Sequence, residues 1–253
     1  MTNPPSALTN GVINTFEGCS GISDAAGNLL FYTDGITVWN ASHTTMSNGG
    51  LLNGNSSTSQ AAVVVKQPGN PNIYFIFTLA CCTNATGVNY SVVDMSLSSG
   101  SGSVTIKNVS LAGNSQEKLT SVRHCNGTDI WVLSQAFPSG DFRAHLVSAA
   151  GVSTTPVMSA IGSNTATGAT YVGYMKFSPN GKKLGVAVCN SSIMGFDLYD
   201  FDASTGIVSN RIPLVTSNLA YGVEFSPDGT KMYGALWGGP RLYQWDLCAG
   251  SGT

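Results

Sequence analysis

At 253 residues the chain has room for one repeat-built domain or two small ones. Charged residues are only 9% and the formal net charge is -2, with the basic residues scattered, so no cluster exists to neutralise a phosphate backbone and a nucleic-acid partner is excluded. The longest apolar runs, such as 73–82, fall far short of a membrane-spanning helix, which leaves no transmembrane segment to expect.

The composition is rich in Gly, Ser, Thr and Asn, which favour strands and tight turns over long helices. The surface this predicts is one of hydroxyls and amides, as suits an extracellular protein. Residues 1–12 are a Pro/Asn-rich lead. The first unit opens at Phe16-Glu17-Gly18-Cys19, turns at Ala25-Ala26-Gly27-Asn28 and continues as Leu29–Thr33. Asp34-Gly35 then leads into Ile36–Asn40, a strong hairpin signal. A loop rich in Asn, Gly and Ser follows. The second unit carries Gln60–Val65, Ile73–Thr78, Val88–Met95 and an outer strand over 103–109. The third carries Glu117–Val122, Asp129–Ser134 and the alternating run Phe142–Val147.

The fourth and fifth units share a turn. Phe177-Ser178-Pro179-Asn180-Gly181 recurs 48 residues later as Phe225-Ser226-Pro227-Asp228-Gly229. Pro fixes φ at the first turn position and Gly accepts positive φ. The hairpin glycines Gly27, Gly69, Gly127, Gly181 and Gly229 are 42, 58, 54 and 48 residues apart. Near-periodic sheets of this size predict an all-β propeller of about five blades, either closing on themselves or forming part of a larger ring. The unit boundaries read approximately 13–57, 58–112, 113–168, 169–217 and 218–253 of a single domain. A β-sandwich accounts for the recurrence less well. The last unit ends after three strands, and the Pro-rich lead or residues 8–13 are the candidates for the missing one beside Tyr243–Leu247.

Phe16–Cys19, Phe31–Asn40, Lys66–Asn70, Tyr174–Pro179 and Tyr221–Gly229 together resemble the propeller region of large secreted Bacteroidota surface proteins. That resemblance implies export by the type IX system, an association with gliding or the cell surface, and placement rather than activity. It supplies no catalytic residues.

Two candidate sites follow from the blades. Inner strands of a propeller begin near its axis, which places Glu17, Gln60, Glu117, Tyr174 and Tyr221 around a central channel. Glu17 and Glu117 are the pair a glycoside hydrolase would need. The second site is an aromatic patch, Trp237, Arg241, Tyr243 and Trp245, fit to stack on a glycan or hold a protein; blade-to-blade packing is the competing use of those rings. Trp39 and Trp131 read as core, and Cys19 and Cys189 as buried filler. Six cysteines leave disulfide pairing open, with one or two long-range bonds at most. Asp200–Gly206 has the alternation of a calcium loop without its required glycine and glutamate, so an Asx turn explains it better and no metal is expected. His124-Cys125 reads as a surface turn with a packed thiol. No motif-supported catalytic set or cofactor site emerges. The expectation is a non-catalytic extracellular interaction or structural module, binding copies of itself or surface proteins, with glycan binding or polysaccharide hydrolysis as the alternative.

Overall fold

The computed structural model describes residues 7–80, 86–162, 172–189, 195–214 and 219–249. Among them, nineteen strands form five antiparallel sheets. The first sheet is β1 (Ser20–Ser23), β2 (Leu29–Thr33) and β3 (Val38–Asn40), in that order. The second is β4 (Ala62–Lys66), β5 (Ile73–Leu79), β6 (Val88–Asp94) and β7 (Ser103–Ala112). The third runs through β8 (Ser115–Arg123), β9 (Ile130–Ala136) and β10 (Phe142–Ser148), with β11 (Gly151–Val152) and β12 (Val157–Ser159) both pairing β10. The fourth is β13 (Met175–Phe177), β14 (Lys183–Val188), β15 (Gly195–Asp202) and β16 (Ile207–Leu214). The fifth is β17 (Ala220–Phe225), β18 (Lys231–Leu236) and β19 (Leu242–Asp246). The helical content among these residues is a 3-10 turn at Ser98–Gly100, and no helix is long and apolar enough to cross a membrane.

The repeated turn works as its chemistry requires. Gly181 donates its N–H to the Ser178 carbonyl, and Ser178 Oγ bonds Asn180 Oδ1 at 2.8 Å. The later copy repeats both contacts with Gly229, Ser226 and Asp228. The five hairpin glycines have φ between 69° and 87°, a region closed to most side chains. A second repeat follows from this register: Lys183–Asp200 in the fourth sheet and Lys231–Asp246 in the fifth are ion pairs across corresponding strands.

Strands alternate their side chains between two faces, so each inner sheet buries both. Among the described residues four apolar clusters result. Phe31 and Val38 of the first sheet meet Tyr74 and Ile76 of the second. Phe75 and Phe77 meet Leu119 and Val132. Leu133 and Phe142 meet Leu184 and Tyr199. Phe196 and Leu198 meet Val223, Phe225 and Met232. At the last interface a Cβ on Gly234 would lie 2.6 Å from the Phe196 ring, so the glycine makes room for it.

Several residues depart from the sequence reading. Trp131 is core, but Trp39 is half-buried and stacks on Tyr32 at 5.5 Å, on the face of the first sheet turned away from the second. Trp39 pairs with Tyr32 across the strands while Phe31 takes the apolar side, and alternation puts the two on opposite faces. Cys189 is buried as expected. Cys19 and Cys125 are exposed thiols instead, the first at the axis and the second in a hairpin turn; Cys248 is exposed too. Cys81 and Cys82 lie outside the described residues. Residues 8–13 form no strand beside β19. They run as coil, and Val12 N donates to Tyr32 Oη on the first sheet instead.

Candidate functional site

The inner strands β1, β4, β8, β13 and β17 bring the five predicted axial residues around one centre. Backbone bonds stitch the sheets together there: Glu17 N to Ser56 O, Gly18 N to Thr58 O, Gln60 N to Glu117 O, and Tyr174 N to Tyr221 O at 2.7 Å. Gly18 is forced by this approach, since a Cβ would fall 2.2 Å from Ala61 N.

The five side chains divide into two layers. Gln60 is a clamp. Its Oε1 accepts from Leu119 N and Met175 N, and its Nε2 donates to Met175 O, which ties the second, third and fourth sheets. Glu117 is buried, and its Oε2 accepts from Ser59 N at 2.8 Å and Ser59 Oγ at 3.0 Å. Ser59 Oγ in turn accepts from Gly173 N. Burial raises the Glu117 carboxyl above its usual range, opposed by the two Ser59 bonds. Beside it, Lys118 is fully buried. Its Nζ donates to Gln116 Oε1 and Val172 O, both at 2.9 Å, and burial pushes it down to about 7.

Above this polar plug a cavity of about 530 Å³ opens. Glu17, Cys19, Ser121, Tyr174, Phe177 and Lys176 are among its lining, with the Lys176–Glu224 ion pair (3.1 Å) at its side. Tyr221 Oη donates to Glu17 Oε1, and the Tyr174 and Tyr221 rings lie 5.6 Å apart. Burial, then the neighbouring Glu17, raises the Tyr174 phenol, which keeps it protonated and a donor. Glu17 stands close enough to Glu117 for its charge to add to the rise of that carboxyl. Glu17 lines the cavity, and Glu117 lies in the plug beneath.

The aromatic patch divides in the same way. Trp237 is 61% exposed and shares a shallow 180 Å³ pocket with Arg241, Pro240 and Leu219. Tyr243 and Trp245 stack at 5.7 Å and pack on Phe196, so they are interface rings. The calcium-like run is a closed turn: Asp202 Oδ1 accepts from Ser204 N and Oγ, and Asp200 is held by Lys183 and Asn210. His124 stacks on Trp131 in its turn.

Sequence reasoning missed Ser59, Lys118 and Phe177 at the axis. A lysine inside a strand start carries no sequence mark of burial. Phe177 was legible only as part of a turn motif, and its place in the cavity wall depends on the approach of the fourth sheet.

No protein-family profile matches the chain, and no curated relative matches it by sequence. Solved structures do. A luciferin-regenerating enzyme aligns over 91% of this chain and 72% of its own, at 16% identity and a TM-score of 0.50. Hydrazine synthase of Kuenenia stuttgartiensis aligns over 88% and 62%, at 13% identity and 0.54. The Swd1 β-propeller domain of Myceliophteria thermophila aligns over 89% and 68%, at 12% identity and 0.51. At these identities the likeness establishes the fold: five antiparallel sheets arranged as propeller blades. The chain spans about two thirds of those structures' length. The fold is shared by enzymes and by a β-propeller domain of another kind, so it does not choose between turnover and binding.

Proposed function

We propose that this domain is a non-catalytic binding module that takes a neutral, hydroxyl-rich ligand, a glycan segment, in the axial cavity. The observation that carries the reading is the wall of that cavity. Tyr174 and Phe177 line it with aromatic rings, Tyr174 and Ser121 bring hydroxyls, and Glu17 stands in the wall with one carboxylate oxygen held by Tyr221 and the other buried. Aromatic planes for the apolar face of a sugar ring, with a few polar groups to orient its hydroxyls, are the elements such recognition needs. The volume suits a small oligosaccharide unit.

Hydrolysis by Glu17 and Glu117 has less support, because one carboxylate lies outside the cavity and is bound by Ser59. A low-charge surface of amides and hydroxyls supports an extracellular or cell-surface setting for the module.

Titration calorimetry against a panel of neutral, acidic and amino oligosaccharides tests this. Binding of a neutral member, weakened by Tyr174→Ala and without release of reducing ends, is the expected result. Reducing-end release that Glu17→Gln and Glu117→Gln both abolish would replace the reading with a hydrolase.

A further inference from the structure

Among the described residues the fifth sheet has three strands where the second and fourth have four, and β19 is its outer edge. Leu247 N donates to Thr230 O, which fixes the hydrogen-bonding parity of the β18–β19 ladder. Alternation along an antiparallel pair then turns the backbone groups of Leu242, Gln244 and Asp246 away from β18. Among the described residues these groups have no backbone partner. An unpaired edge of this length is a template for another strand.

The side chains of β19 specify which strand. Tyr243 and Trp245 continue the aromatic row that begins at Phe196, and this row runs out at the edge. Leu242, on the other face, is 70% exposed.

We infer that β19 pairs antiparallel with β19 of a second copy, about a two-fold axis through Gln244. In that register Leu242 meets Asp246 of the second copy and Gln244 meets its own equivalent. All three outward-pointing residues of each strand fall into hydrogen-bonded pairs, so the parity closes without a bulge. The intervening pairs place Tyr243 opposite Trp245 of the second copy, twice, extending the Phe196 row across the junction. Cross-strand aromatic pairs of this kind are favourable, and no like charges stand opposite each other. The contact is isologous, so it closes at a dimer instead of growing into a fibre. It is independent of the axial cavity.

Sedimentation equilibrium over a concentration series is the test. The wild type should be a dimer that dissociates on dilution. Gln244→Lys sets two ammonium groups face to face at the axis and should raise the dissociation midpoint by up to ~5-fold. Gln244→Pro removes an outward N–H that the β18 ladder does not use, and should give monomer with unchanged far-UV dichroism. Gln244→Lys carries the test alone if the proline variant fails to fold. A wild type that is monomeric at every concentration overturns the inference. So does a dimer that Gln244→Lys leaves equally tight, or one lost on Trp237→Ser and not on Gln244→Lys.

Discussion

Tyr221 Oη on the fifth sheet donates to the carboxylate of Glu17, 204 residues earlier in the chain, on the lead into the first sheet. Neighbouring sheets elsewhere are joined by an apolar cluster. Among the described residues no such cluster joins the fifth sheet to the first, and this hydrogen bond holds their inner ends together. Tyr221→Phe should therefore loosen that seam. The expected loss is about 1–2 kcal/mol in denaturant unfolding, since the bond is charge-assisted and leaves a carboxylate oxygen unpaired. Amide exchange should quicken first in β1 and β17.

The opposite case is the fourth interface, where packing dominates. Phe196→Ala should cost about 3–5 kcal/mol, by cavity formation among Val223, Met232 and Trp245. Gly234→Ala should cost about 1–3 kcal/mol, because its methyl would overlap the Phe196 ring. In the double variant the two losses should fall short of their sum, since the smaller residue removes the clash. Thermal unfolding of the four proteins measures all of this.

Lys118 predicts a pH dependence at the alkaline end. Burial lowers it from 10.5 to about 7, so between those values the unfolded chain binds more protons than the folded one. Stability should rise as pH increases through that window, by up to ~1.4 kcal/mol per pH unit. The difference between wild type and Lys118→Met, followed by urea unfolding, should show this slope in the wild type alone.

His145 predicts the acid side. It is buried, its Nδ1–H donates to Ser153 O at 2.8 Å, and its Nε2 is buried without a partner among the described residues. Burial holds its pKa below 6.5, and Arg143 on the same strand adds to the shift. The contribution to stability is present above pH 6.5 and is lost as pH falls through the lowered value, where the folded protein must take up a buried charge. His145→Gln should lessen the acid-induced drop in melting temperature while lowering stability at neutral pH.

Much of the fold was legible because local chemistry dictates it. The five turn glycines carry φ values that side chains resist, and Asp34 caps its own hairpin by accepting from Ile36 N and Thr37 N. Alternating runs such as Phe142–Ser148 bury one face in each of two interfaces. The axial positions were legible too, since Glu17, Gln60, Glu117, Tyr174 and Tyr221 stand near inner-strand starts. Their division into plug and cavity was not. It depends on Ser59 reaching Glu117 from 58 residues away, a contact without local signature. Trp39 was misread because β-propensity says a tryptophan belongs in a strand but not which face it takes.

The most direct test of the account is a crystal structure grown with a neutral oligosaccharide that titrates the protein. The account predicts a sugar ring in the axial cavity, stacked on Tyr174 or Phe177, with a hydroxyl bonded to Tyr174 Oη. A sugar seated instead on Trp237 and Arg241, with the axial cavity holding only solvent, would contradict it.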